Sequence, residues 1–287
     1  MAPHGSDAQL TTAAVVLRGD TFRAPTTREQ PRYNGGRIGC VDDAGAVHRQ
    51  QLALRSAVTM LVEPLEASGY EVLLTALVYP CTANELLAGW LKPRLLLLEE
   101  VSRSGSAQLS TAATALEHAM RGASTRLKQP PSVYVLARAD ITYLLPLPIT
   151  DEGTLSTTVA HLYPPVPQRV MLSQCSPHRR AGRARDRSEP GECDPSQIDD
   201  HLFAVGAQTH ARMVSLLRQA GLQLSDMHGL HLRLEAAGVP TRALFPGEAK
   251  PAGALRAFVD CYRWPNTERA ACAVPPSSTQ VLRYSAK

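Results

Sequence analysis

The chain has 287 residues, 44% hydrophobic and 20% charged, enough to bury a core in one large domain or two small ones. Its net charge of +4 is concentrated: residues 178–187 hold five arginines against one aspartate, and no face of interleaved basic and aromatic residues marks a nucleic-acid-binding protein. Aromatic residues make up only 5%, so aliphatic side chains are expected to fill the core.

Thr12 to Leu17 (TAAVVL) is a short apolar run that reads as a buried strand opening into Arg18-Gly19-Asp20. Residues 24–46, rich in Pro, Gly, Asn and Arg, read as a long loop. From Val47 to Ser68, Leu54, Val58, Leu61, Val62 and Leu65 recur at helical spacing, and Gly69 ends the pattern. A strand at Glu71 to Val78 completes a strand, helix, strand unit, the pattern of a right-handed parallel crossover.

The alternation continues with a helix from Thr82 to Leu91, Thr82 as its N-cap, and a strand at Arg94 to Glu99. A helix from Ser110 to Leu127 and a strand at Ser132 to Ala137 follow. The economical reading is an α/β fold with a mostly parallel, doubly wound sheet, in which ligands sit at the carboxyl ends of the strands.

Beyond Ile141 the pattern loosens, with proline-rich passages and a strand expected at Arg169 to Ser173. A basic loop at about 174–196 is expected to be mobile. Then come a strand from His201 to Val205, a helix from Ala207 to Ala220, and a second helix from Ser225 to Ala237 closed by Gly238. Residues 1–264 are read as a single domain, and 265–287 as a partly disordered tail.

The apolar runs fall far short of the ~20 residues of a membrane helix, and MAPHGSDAQLTT lacks an apolar signal segment. The chain is therefore expected to be soluble as given. A secretory lumen stays open if an anchor lies outside it. The cysteines Cys40, Cys81, Cys175, Cys193, Cys261 and Cys272 form no C-x-x-C pair. Reduced, mostly buried thiols are expected, although an even count permits disulfides.

Three charged clusters fall at predicted strand ends. In Leu17 to Arg23 (LRGDTFR), Arg18 beside Gly19 suits a phosphate or carboxylate, because a planar guanidinium matches either bidentately; a strand-end arginine on the surface is the more ordinary reading. In Val135 to Tyr143 (VLARADITY), Arg138 and Asp140 share one side of an extended chain. The carboxylate would meet a diphosphate through a divalent cation and the guanidinium directly, or the two form a structural ion pair. In Ile198 to Gly206 (IDDHLFAVG), Asp199 and Asp200 suit a general base or metal ligand, since adjacent carboxylates raise one another's pKa, and also suit an ordinary turn.

Other candidates are thinner. Asp226, His228 and His231 have helical spacing suited to a metal or to capping and exposure. No G-x-S-x-G, H-E-x-x-H, P-loop or G-x-G-x-x-G is present.

The order of the three clusters resembles a set of glycosyltransferase-like proteins that includes the WavE-like lipopolysaccharide-biosynthesis family and algal and giant-virus relatives. The likeness spans roughly Val15 to Leu217. It implies a nucleotide-diphospho-sugar-transferase-like fold of the GT-A kind, acting on a nucleotide sugar and a glycan or lipid-linked acceptor. It also implies donor binding by Arg18, Gly19, Arg138 and Asp140, with Asp140 meeting a manganese or magnesium ion and Asp200, or Asp199 in its place, as base.

The chain carries R-A-D where such enzymes usually carry D-x-D, which weakens the expectation of a tightly held cation. A non-catalytic binding or assembly protein on the same fold is the alternative, and an RNA-associated protein using the arginine loop a minor one.

Overall fold

The protein is described by a computed structural model that covers residues 11–22, 40, 43–102, 108–127, 130–143, 146–147, 149, 155, 160–162, 202–221, 233–234 and 236–243. The strands are β1 (Thr11–Gly19), β2 (Tyr70–Val78), β3 (Leu95–Glu100), β4 (Val133–Arg138), β5 (Ala160–Leu162), β6 (Leu202–Gly206) and β7 (Thr241–Ala243). They form one sheet of order β3-β2-β1-β4-β6-β5-β7, in which β6 alone runs against the others. The expected α/β fold with a mostly parallel, doubly wound sheet is what the chain adopts.

β1 is buried along most of its length because it lies inside the sheet with helices on both faces, which is why its sequence is a continuous apolar run. On one face, Ala13, Val15, Leu17, Leu74, Ala76, Val78, Val133 and Val135 pack beneath the helices α1 (Ala44–Ala57), α2 (Glu63–Ala67) and α3 (Asn84–Leu91). On the other, Ala14, Val16, Leu77, Tyr134, Leu136, Phe203 and Val205 pack beneath α4 (Gln108–Ser124) and α5 (Ala207–Gly221). Leu17, Leu61, Leu65, Leu74 and Leu87 are fully buried, each contributing about 1.5–3 kcal/mol. Tyr134, Tyr143, Phe22 and Phe203 join them inside.

The single helix expected over Val47 to Ser68 is built in three pieces. Asp43 caps α1 by accepting from the Ala46 N–H at 2.7 Å, so the helix starts earlier than the apolar spacing suggests. A π-helical turn, Val58–Val62, then joins α1 to α2. Its cause is Pro64 in the first turn of α2, which has no N–H to offer the carbonyl four residues back. That carbonyl, Met60 O, accepts instead from the Leu147 N–H at 2.7 Å. Gly69, at φ +86, turns the chain into β2.

Several expectations are corrected or fall elsewhere. α3 begins at Asn84 after Ala83, with no side-chain cap, so Thr82 does not cap it. Cys40 and Cys81 form a disulfide rather than the expected reduced thiols. The three-residue strands β5 and β7 have no counterpart in the sequence reading. The expected strand at Arg169 to Ser173, the loop at 174–196, the metal candidates Asp226, His228 and His231, and the tail 265–287 lie outside the described residues. No described helix is long and apolar enough to cross a membrane.

Candidate functional site

Parallel strands end together at one rim, and the rim of β1 and β4 carries the charged residues singled out above. Arg18 and Arg138 are register partners on these adjacent strands, both almost fully buried. Buried guanidiniums persist where anions answer them. Asp140 answers Arg138: Nε donates to Oδ1 at 2.8 Å and Nη2 to Oδ2 at 2.6 Å. The side chains of this pair are 7% and 5% exposed. Arg18 reaches across β4 to lie over the Phe203 ring on β6, 5.8 Å from its centroid. Half-buried Asp20 follows at the end of β1.

The backbone around these groups is fixed by contacts between strand ends. The Ala139 N–H donates to Arg18 O at 3.0 Å, and the Tyr79 N–H to Gly19 O at 2.9 Å. Gly19 sits at φ +95, a conformation that glycine adopts at little cost. Phe22 adopts φ +49, unusual for a residue with a side chain and worth about 1–3 kcal/mol of strain. It is held there by a hydrogen bond from its N–H to Gln50 Oε1 at 2.8 Å and by packing against Trp90, ring centroids 6.0 Å apart.

The helical layer places the segment after β4. Gln50 donates to Ala139 O at 2.8 Å, and Ser56 Oγ accepts from the Tyr143 N–H at 2.9 Å. With Leu147 on Met60 O, three points along this helical run, Gln50, Ser56 and Met60, hold residues 139, 143 and 147. Tyr143 donates its hydroxyl to Arg138 O at 3.1 Å. Burial first, then the charge of Asp140, raises the Tyr143 pKa, against the pull of Arg138 and Arg18. The phenol therefore stays protonated and serves as a donor.

A second network joins the ends of β1, β2 and β3. Thr21 donates to Asn84 Oδ1 at 2.7 Å, and Asn84 Nδ2 donates to Tyr79 O at 3.0 Å and to Glu100 Oε1 at 2.6 Å. The Cys40–Cys81 bond closes 41 residues of chain beside it. Gln50, Asn84 and Tyr143 were not singled out from the sequence. Gln50 had a signal: it shares the buried stripe of Ala46, Ala53, Leu54 and Ala57, where a polar residue needs a partner.

The structure thus brings Arg18, Gly19, Arg138 and Asp140 to one rim. Asp199 and Asp200 lie outside the described residues. The strand that follows them begins at Leu202, which pairs with Ala137 next to Arg138.

A divalent cation prefers several oxygen ligands. Both Asp140 oxygens are already held by Arg138, and among the described residues no group of three His, Cys, Asp or Glu side chains converges. The described residues do not fit a bound divalent cation.

These features define an α/β protein with a buried arginine pair at the carboxyl rim of its central strands. No family model and no curated protein matches the chain. Among solved structures, it is similar to a protein of Desulfovibrio desulfuricans G20 provisionally described as a nucleotide-diphospho-sugar transferase, at 10% identity and TM-score 0.42, covering 81% of this chain and 79% of that one. It is similar also to 4-diphosphocytidyl-2C-methyl-D-erythritol synthase, at 13% identity and TM-score 0.42, covering 86% and 97%. A third is the glycosyltransferase GlyE of Streptococcus pneumoniae TIGR4, at 8% identity and TM-score 0.39; the match covers 81% of this chain and 45% of that one.

Proposed function

We propose that the chain is a glycosyltransferase-like protein that binds a nucleotide-sugar donor at the rim of β1 and β4 and passes the sugar to a glycan or lipid-linked acceptor. The observation that carries this reading is the register pairing of Arg18 with Arg138 at the carboxyl ends of adjacent parallel strands, the end at which such sheets take ligands. Planar guanidiniums match the oxygens of a phosphate group. Asp140 holds Arg138 in place, Gly19 lets the chain turn away from the rim, and Asp200, with Asp199 as substitute, accepts the acceptor's proton. Orientation and charge stabilisation supply most of the acceleration such a transfer needs.

The narrower likeness to the WavE-like family rests on the order of the three motifs. The arrangement is proposed to act as one domain through residue 264.

A non-catalytic binding or assembly protein on this fold is the second reading. It is favoured by the Asp140 carboxylate, whose two oxygens are both engaged by Arg138.

Thermal unfolding with UDP, GDP and CMP species tests donor binding. A ligand at 100 times its dissociation constant adds about 2.7 kcal/mol of stability, a readily measured rise in melting temperature. Curves unmoved by all of these nucleotides would remove the support for a donor site. Binding without transfer to any glycan acceptor would favour the second reading.

A further inference from the structure

We propose that the outer edge of β3 pairs antiparallel with the same edge of a second copy of this chain, joining two sheets across a two-fold axis.

β3 ends the strand order, and no described strand lies on its outer side. The inner strands β1, β4 and β6 are buried along nearly all their length, whereas Leu95, Leu96, Leu97 and Leu98 of β3 are each only partly buried. An open edge presents a row of backbone N–H and C=O groups suited to another strand. Four leucines along that row make the edge costly to leave in water.

The order of residues along the edge selects the occupant. Arg94 precedes the leucines, and Glu99 and Glu100 follow them. Turned end for end against itself, in the register that sets Arg94 opposite Glu99, the strand also sets Leu95 opposite Leu98 and Leu96 opposite Leu97. Glu100 then lies next to the same arginine. Both ends of the pairing join opposite charges, and its centre joins only leucines.

The faces of the sheet agree with this register. Leu95 and Leu98 pack on the side of α1, α2 and α3. Leu96 and Leu97 face α4, where a Cβ added to Gly122 would meet their Cδ2 atoms at 3.6 and 3.8 Å. Plain alternation would put Leu95 with Leu97 and Leu96 with Leu98. β3 departs from it because its register against β2 slips between Leu95 and Leu97. The slip makes the order of faces symmetric about the middle of the four leucines, so a two-fold axis perpendicular to the sheet brings like face to like face at each leucine pair.

The charges at the two ends keep bonding capacity. Among the described contacts, Arg94 gives Nη1 to Glu66, which leaves its Nε and Nη2. Glu99 takes His118 and Arg121 both on Oε2, and Glu100 takes Asn84 on Oε1, so each retains one oxygen. The Arg94 and Glu99 side chains are 39% and 41% exposed. Because both copies use one and the same edge, the assembly closes at two.

Sedimentation equilibrium of the full chain, from low to high micromolar concentration, tests the inference. The expected result is a reversible monomer–dimer equilibrium that Arg94→Glu weakens by about tenfold or more, since it sets like charges together at both ends. Adding Glu100→Arg to that variant restores an opposite pair at each end and is expected to recover about fivefold or more. Circular dichroism and melting confirm that each variant is folded. A chain that stays monomeric throughout overturns the proposal. So does a dimer indifferent to Arg94→Glu, or a loss that Glu100→Arg does not relieve. Hydrogen exchange of the unaltered chain gives a reading that depends on no variant: the amides of residues 95–100 should exchange more slowly at dimer-forming concentration than at monomeric concentration, and equal rates would overturn the pairing.

Discussion

Gln50 donates its side-chain N–H to Ala139 O at 2.8 Å, linking the middle of α1 to the turn that separates Arg138 from Asp140. The same amide accepts from the Phe22 N–H, so one buried side chain spans the loops that follow β1 and β4. Gln50→Ala leaves a buried N–H and a buried carbonyl without these partners, each costing about 1–3 kcal/mol. The variant is expected to lose about 2–4 kcal/mol in urea unfolding and to bind nucleotide more weakly. A stability within error of the parent would show that the bridge carries no weight.

Asp140→Asn tests the ion pair in two measurements at once. The pair is deeply buried, and breaking such a pair costs about 3–5 kcal/mol. The variant should melt at lower temperature, remain folded in the cold, and lose nucleotide affinity because Arg138 is no longer oriented. Stability loss with undiminished nucleotide binding would assign Asp140 a structural role only.

Acid should weaken the protein in two steps. Burial, chiefly, holds the His210 imidazole below its ordinary value; it lies against Tyr134 and donates from Nε2 to Leu116 O at 3.2 Å. The folded state favours the neutral ring, so this contribution is complete above the unfolded value of about 6.5 and is lost as pH falls toward the folded value. Glu99 is also lowered, first by its hydrogen bond from His118 Nδ1 at 2.8 Å. Its contribution is present above the usual carboxylate value of about 4.3 and is lost as pH falls through the lower, folded one. Urea midpoints against pH should show a shallower decline just below about pH 6.5 in His210→Gln, with the lower limb retained. Identical slopes in parent and variant would exclude His210 as the source.

Cys81→Ser opens the 41-residue separation closed by the disulfide. In the chain-entropy treatment, a loop of that length is worth about 4 kcal/mol. Unfolding monitored with and without a thiol reductant should place the reduced parent close to the variant. An oxidised parent no more stable than the variant contradicts this entropic contribution.

Most of the layered architecture was legible because its signals are local. The apolar run of β1, the helical spacing through Leu54, Leu61 and Leu65, and the glycine at 69 each identify an element without reference to the rest of the chain. β5 and β7 escaped because three residues show no period, and the reversed direction of β6 is a property of pairing rather than composition. The break near Pro64 carried a readable signal, but its effect becomes plain only where Leu147 takes the carbonyl that the proline leaves.

At the rim, the charged residues were legible and their supports were not. Arg138 and Asp140 announce themselves as charges on an apolar strand. Gln50, Asn84 and Tyr143 look like ordinary polar positions until tertiary contacts give them partners.

The reversal of β6 lets one end of the sheet gather strand ends of both directions. Leu202 opens β6 opposite Ala137, beside Arg138, and Leu162 closes β5 opposite Phe203, so the opening of one strand and the closings of two others meet on the arginine side.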